Sequence, residues 1–249
     1  MIKYSEKHTV TCYDTDVAGR MKPVAFMNLA QEAAGRHAVY LGFGYDDLIV
    51  SNTAWILSRV HVEFIDTPRW REEIILNTWH KGLNRLFFLR DFVITDNSGN
   101  EKVKATTSWL VMNLESRRLV RDPGLIEEGT ICVENAVDTP ADKVQMPKDI
   151  EPETVMEHVV AYSDVDTNGH ANNAMYMHWA MDAVDYEIAS VMAVKCFTIN
   201  FNHEAKPGDR IMISRACREM EDGLHVYLEG CCEDVSTFCV EIVFVPDTK

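Results

Sequence analysis

The sequence predicts an α+β fold made of two tandem copies of one unit, each a helix enclosed by an antiparallel sheet. Three observations carry this. The chain has 249 residues and is 47% apolar, enough for one large domain or two small ones with a buried core. Residues 14–33 lie over residues 164–183 at a constant offset of 150: Asp14 meets Asp164, Asp16 meets Asp166, Gly19 meets Gly169, Met27 meets Met177, Ala30 meets Ala180 and Ala33 meets Ala183, while Phe26 faces Tyr176 and Glu32 faces Asp182. A second block, VHVEFIDTPRWREEI (60–74), lies over FTINFNHEAKPGDRI (197–211) at an offset of 137, so the second copy has a shorter connection after its helix.

The elements follow in the same order in each copy. A short β run opens it, at 8–13 and again at 154–162, and a polar loop follows. A helix comes next, over about 23–41, where Pro23 suits the first helical turn, and over about 173–189. Four β runs close the copy: 55–65, 73–81, 86–95 and 102–114 in the first, 196–202, 210–218, 224–232 and 237–245 in the second. Their joints carry turn residues, NSGN at 97–100, KPGD at 206–209 and EDG at 221–223. The first helix, FMNLAQEAAGRHAVYL, is apolar around much of its circumference, which suits a helix wrapped by a sheet. This is the pattern of a tandem, or double, hot-dog fold with two long central helices. The units run over 1–133 and 154–249, and the polar, Pro-containing stretch 134–153 reads as a linker or long crossing connection. Because both units lie in one chain, a monomer is sufficient, although a homodimer is also compatible.

Charge and cysteine content narrow the function. The net charge is −15, so the overall field opposes binding to nucleic acid or to an anionic membrane. No stretch approaches the ~20 apolar residues of a membrane span. The first ten residues, MIKYSEKHTV, contain no apolar run, so no secretory signal is expected. Seven cysteines without CxxC spacing argue against a disulfide framework or zinc ribbon and suit a reducing cytoplasm. The charge is uneven: residues 1–125 hold 16 Lys and Arg against 15 Asp and Glu, and residues 126–249 hold 8 against 24. An acidic partner would therefore prefer the first half, where Arg117, Arg118 and Arg121 cluster and Arg69 and Arg71 flank Trp70. The alternative is a solvated charged surface, or arginines that pin a strand end through Asp122 or Glu115.

The most informative segment is YSDVDTNGHANNAMY (162–176). It places two carboxylates, three Asn, a Gly and a His in a strand-to-helix loop. Hydrolysis of an activated acyl group needs a base for water, donors for the oxyanion and a means of orienting both. Asp166, Asn168 and His170 alternate, so an extended loop can point them the same way. The helix beginning near Asn172 or Asn173 presents unpaired N–H groups, which favour negative charge, and one of these two asparagines is expected to cap it.

Competing readings fit less well. Asp164-x-Asp166-x-Asn168-Gly169 opens like a calcium loop, but twelve positions from Asp164 stands Met175 where a bidentate Glu is required. His170 and His178 are eight apart with no third ligand at helical spacing, which is poor for zinc. There is no G-x-S-x-G elbow, and Gly42-x-Gly44 lacks the third glycine of a dinucleotide loop. No metal or cofactor is implied.

YSDVDTNGHANNAMYMHWAMDAV resembles the catalytic segment of the acyl-acyl carrier protein (acyl-ACP) thioesterase family, in which Asp-x-Asn-x-His-x-Asn-Asn precedes an aromatic helix. ILSRVHVEF, the Trp-bearing turn after it and SWLVMNLESRRLVR (108–121) are similar to the end of that family's first unit, and the resemblance covers nearly the whole chain. It implies catalytic roles for Asp166, Asn168 and His170, and for an acid about 34 residues after the His, here Glu204. Asn172 and Asn173 would line the substrate site. Plant members often carry Cys after the acid; Ala205 stands here, which favours attack by activated water. The implied activity is hydrolysis of acyl-ACP to free fatty acid and holo-carrier in fatty acid biosynthesis, with Glu204 as base, His170 sharing that role or stabilising the oxyanion, Asn168 and helix N–H groups on the carbonyl, and Asp166 orienting loop and water. Rival readings are an acyl-CoA thioesterase, a hot-dog hydratase or dehydratase, and an acyl-binding regulator.

Two further expectations come from the residues. Strand alternation puts Glu204 with Asn200 and Asn202, opposite Phe197, Ile199 and Phe201, so it must reach a site from the strand's end or past a bulge. In the first copy Arg20 faces His170, Ala18 faces Asn168 and Thr67 faces Glu204. One active site is therefore expected, with Asp14 and Asp16 structuring a loop in a copy left free to hold the acyl chain and meet the carrier.

Overall fold

The computed structural model describes residues 2–121 and 124–247. The first half contains β1 (Tyr4–Thr9), α1 (Pro23–Tyr40), α2 (Tyr45–Val50), β2 (Thr53–Phe64), β3 (Glu73–Asn84), β4 (Phe87–Asp96), β5 (Glu101–Asn113) and a short β6 (Leu119–Val120). The second contains β7 (Glu153–Val159), α3 (Asn173–Asp182), α4 (Tyr186–Val191), β8 (Met192–Phe201), β9 (Arg210–Met220), β10 (Gly223–Cys232) and β11 (Val235–Pro246). All strand pairings are antiparallel, and the order β1-β3-β4-β5-β2-β8-β11-β10-β9-β7 makes one continuous sheet, with β6 added beside β5. The two sheets expected from the sequence are thus one.

The seam between the halves lies at β2 and β8. Val60 pairs with Ile199 and Val62 with Phe197, and the offset of 137 exchanges these two pairs. His61 pairs with its own repeat equivalent, Thr198, so this pair marks the pseudo-twofold axis, and His61 Nδ1 lies 2.7 Å from Thr198 Oγ1.

α1 begins at Pro23 after an extended Lys22, and buries Phe26, Met27, Ala30, Ala33 and Ala34. One apolar core takes these together with Ala174, Tyr176, Met177, Trp179 and Ala180 of α3 and the inward residues of the sheet, among them Ile74, Ile94, Ile211 and Val240. Phe238 sits under Tyr176 at 5.7 Å between ring centroids. On β11 it pairs directly with Gly230 of β10, where a Cβ would meet the Phe238 ring at 2.1 Å, so only glycine fits.

Some elements differ from expectation. The opening strands stop at Thr9 and Val159, because the carboxylates of Asp14 and Asp164 capture the N–H groups of Thr11 and Ala161 and turn the chain early. The second central helix is not long. It stops at Asp182, where Arg215 donates to the Ala183 carbonyl at 3.1 Å and to the Asp185 carboxylate at 2.7 Å, and α4 starts afresh from Asp185. The helix α2 was not foreseen. Residues 134–152 contain neither helix nor strand and cross the sheet, held by Trp79 Nε1 to the Glu134 carbonyl, Ala136 N–H to Asp91, and Asn200 bonded to both Asp142 and Val144. Among the described residues no helix is long and apolar enough to cross a membrane.

Candidate active site

The loop before each helix is built on the same hydrogen bonds. Asp14 Oδ2 lies 3.0 Å from His8 Nε2, and Asp164 Oδ2 lies 2.8 Å from His158 Nε2. Asp16 accepts the Ala18 N–H on its side chain and the Gly19 N–H on its carbonyl; Asp166 does the same for Asn168 and Gly169. The glycine is required, since both positions adopt a left-handed φ, 72° at Gly19 and 77° at Gly169. The next loop is tied in alike: Met21 N–H donates to the Pro68 carbonyl and Ala171 N–H to the Ala205 carbonyl, both at 2.8 Å. Asp164 and Asp166 therefore have a scaffold role that Asp14 and Asp16 share. Burial pushes the Asp164 carboxyl up, but the Ala161 N–H, His158 and Trp179 outweigh it and hold it below the usual range.

On this common scaffold the two copies carry different chemistry. In the second, His170 projects from the loop and its Nε2 lies 3.6 Å from Glu204 Oε2. Asn168 is exposed at the tip of the same turn. β8 ends at Phe201, so Glu204 falls in the irregular segment that follows. The strand's end, rather than a bulge, frees Glu204 from alternation. Its side chain is 34% exposed, so it is not a buried acid. The same oxygen accepts from Arg117 Nη2 at 2.7 Å, so the site is completed from the first half by a residue in the turn between β5 and β6. In the first copy Arg20 takes the His170 position and is buried. Its guanidinium binds Asp16, the carbonyls of Ala189, Ser190 and Met192 around the end of α4, and Asp247. The first copy's loop thus pins the second half.

The remaining expected residues have clear places. Asn172 is the cap of α3: its carbonyl oxygen accepts the Ala174 N–H at 2.9 Å and its amide donates to Asp166 at 3.3 Å. Asn173 is the first helical residue, half-buried beside the loop. Of the arginines, Arg117 belongs to the site, its carboxylate partner being Glu204 rather than Glu115. Asp122, the other partner considered, lies outside the described residues. Arg118 and Arg121 are exposed close by in sequence. Arg69 is engaged by Asp247 and the Ala18 carbonyl, and Arg71 stacks on Trp70 with its guanidinium 4.2 Å from the ring centroid.

Sequence reasoning missed two contributors. One is the pairing of Arg117 with Glu204, which joins segments 87 residues apart. The other is Tyr176. Its hydroxyl accepts the Ala205 N–H at 2.8 Å and donates to the His203 carbonyl at 3.4 Å. Burial, with the negative charges of Glu204, Asp209 and Asp166, outweighs the Ala205 bond and pushes the phenol up to about 12, so it stays protonated. An unpartnered buried N–H in its place would cost about 1–3 kcal/mol. The signal lay in the repeat, where Tyr176 faces Phe26.

A duplicated helix-and-sheet unit, one continuous sheet and the Glu204–His170 pair, joined by Arg117 of the other half, define a double hot-dog protein whose candidate site lies in the second copy. The chain belongs to the acyl-ACP thioesterase family: residues 1–126 match its N-terminal domain and residues 147–241 its C-terminal domain. It is 25% identical over 224 residues to the chloroplastic oleoyl-acyl carrier protein thioesterase of Coriandrum sativum, covering 84% of this chain and 61% of that one. It is 26% identical over 222 residues to oleoyl-acyl carrier protein thioesterase 2 of Arabidopsis thaliana, covering 83% and 60%. The chain thus spans about three fifths of the length of these relatives. Among solved structures it resembles an acyl-ACP thioesterase from Bacteroides thetaiotaomicron, with TM-score 0.78, 25% identity and 98% of each chain covered. It shares its fold with the 12:0-ACP thioesterase of Umbellularia californica, with TM-score 0.89, 22% identity, and 99% and 95% covered.

Proposed function

We propose that this chain hydrolyses fatty acyl-ACP to free fatty acid and holo-carrier protein, as a step of fatty acid biosynthesis. The observation that carries the reading is the pairing of Glu204 with His170 at 3.6 Å in one copy only, in a member of this family. Glu204 removes a proton from water as the water oxygen attacks the thioester carbonyl carbon. The carbonyl electron pair moves to its oxygen, which Asn168 and the N–H groups at the start of α3 stabilise. Collapse breaks the C–S bond, and the proton passes to the departing sulfur of the carrier's phosphopantetheine arm. His170, beside Glu204, relays that proton or supports the oxyanion. Asp166 holds the loop in the shape that presents both groups.

The division of labour follows the repeat. Residues 154–249 form the catalytic unit, 134–153 the linker, and 1–133 the unit that holds the acyl chain and meets the carrier. An acidic carrier approaches a protein of net charge −15 against the overall field, so docking needs a local basic surface, which the exposed Arg118 and Arg121, close in sequence to Arg117, offer. Seven free cysteines suit a reducing compartment, and we place the protein in the cytoplasm.

The test is thiol release from a series of acyl-ACPs of different chain length, with the same acyl groups on CoA alongside. Faster turnover of acyl-ACP at equal acyl length supports the proposal. Preference for CoA makes this an acyl-CoA thioesterase, and no thiol release from saturated substrates removes hydrolysis altogether.

A further inference from the structure

The two copies close the same corner by different means. In the second copy the corner after β8 carries Ala205, fully buried, whose N–H donates to the Tyr176 hydroxyl at 2.8 Å. In the first, the equivalent of Ala205 is Pro68 and that of Tyr176 is Phe26. Proline has no N–H to satisfy and phenylalanine no hydroxyl to offer. Both corners keep the other bond, from Met21 and Ala171 to the carbonyls of Pro68 and Ala205. The differences at the two positions are therefore complementary: a donor and its acceptor are present together in one copy and absent together in the other.

The copy that needs the hydroxyl is the one with the acid. Glu204 immediately precedes Ala205, and His203, whose carbonyl the hydroxyl also meets, immediately precedes Glu204. The hydroxyl thus grips the chain on both sides of Glu204. The far side of that segment is tied to β11: Asn202 N–H donates to the Thr237 carbonyl at 2.8 Å, and His203 Nδ1 lies 2.8 Å from the Ser236 carbonyl. The Tyr176 ring is fixed from below by Phe238 and from the side by Phe201 and Trp179. At Pro68 the ring itself sets the backbone, and the residue before it, Thr67, is restricted to extended conformations. A hydroxyl held by packed aromatic rings fixes the equivalent corner at Glu204 through hydrogen bonds instead.

We infer that Tyr176 is a positioning residue for Glu204, holding the acid at the distance from His170 at which water is activated. The inference rests on the hydrolytic role proposed for Glu204. A small displacement of a reacting group costs heavily in rate, so loss of the hydroxyl should lower kcat for acyl-ACP about 10-fold while changing KM little.

The test is a double-mutant cycle of Tyr176→Phe and Glu204→Gln, followed by kcat and melting temperature. Tyr176→Phe should lower kcat about 10-fold alone and less than about 2-fold in the Glu204→Gln background, because a residue that acts through the acid has nothing left to position. A second variant, Ala205→Pro added to Tyr176→Phe, reproduces the first copy's corner and should restore most of the lost kcat. An equal loss in both backgrounds, or unchanged kcat in Tyr176→Phe, overturns the inference; so does a failure of the proline variant to recover kcat while melting like the wild type. If the proline variant does not fold, the cycle alone decides. Wild-type turnover in Glu204→Gln is a different result, which removes the proposed base itself.

Discussion

Arg117 and Glu204 stand 87 residues apart in the chain and meet at 2.7 Å, guanidinium to carboxylate, with His170 3.6 Å from the same oxygen. The acid proposed as base therefore faces a cation from the other copy as well as its own imidazole. Both partners are partly exposed, 54% and 34%, so the pair contributes little to stability, on the order of 0–1 kcal/mol. Its consequence is for the chemistry.

Glu204→Gln keeps the size of the acid but removes its basicity and its charge. The expected loss in kcat is about 10²-fold or more, within the range of general-base catalysis. The melting temperature should stay within a few degrees of wild type. Near-normal turnover in a folded Glu204→Gln variant would exclude the acid from the mechanism.

Carrier docking is tested at Arg118 and Arg121, not at Arg117. A charge change at Arg117 alters the surroundings of Glu204 directly and so confuses binding with catalysis. Arg118→Glu with Arg121→Glu should raise KM for acyl-ACP, leave kcat nearly unchanged and flatten the salt dependence of kcat/KM, because exposed charges act mainly on encounter. Unchanged KM at low salt in a stable double variant places the carrier elsewhere.

The first copy should be chemically silent. Asp14→Asn and Thr67→Ala are expected to leave kcat within about 2-fold, while Asp166→Asn, which disturbs the turn presenting Asn168 and His170, lowers it at least about 10-fold. Arg20→Met should act on stability instead: it strips the donor from three carbonyls around the end of α4 and from the partly exposed Asp16 carboxylate, which keeps its backbone N–H donors, a loss of about 1–3 kcal/mol. Equal losses of kcat in Asp14→Asn and Asp166→Asn would mean that both copies take part in the reaction.

Acid should loosen the strand-to-helix loops. The carboxyls of Asp14 and Asp164 are each pushed up by burial and pulled down further, by Thr11 and His8 in one copy and by Ala161, His158 and Trp179 in the other. A carboxyl whose folded value is depressed contributes stability above its unfolded value, about 4, and that contribution fades as pH falls through the folded value. Urea midpoints should therefore drop as the pH falls below about 4, and Asp164→Asn should show a shallower drop there from a lower starting point at pH 7. An identical slope in the variant would show that Asp164 is not linked to acid unfolding.

Much of this molecule was legible from residue order. The offsets of 150 and 137 exposed the duplication, and alternation with turn residues located every long strand, because these signals are local and periodic. The same comparison separated the copy with His170 and Glu204 from the copy with Arg20 and Thr67. The helix break at Ala183 was not legible, since it depends on Arg215 reaching across from β9. Nor was the early end of β1 and β7, which depends on a side chain competing with the ladder for a backbone N–H.

What the sequence by itself determined is the repeat, the order of elements and the residue types gathered in the loop at 162–176, all carried by neighbours in the chain. Only the tertiary structure decided that β2 and β8 fuse two sheets into one, that Arg117 closes on Glu204, and that Tyr176 grips the corner beside it. These contacts join residues 27 to 141 positions apart. No periodicity encodes such pairs, because they form only when the packed core brings the two copies to a common seam.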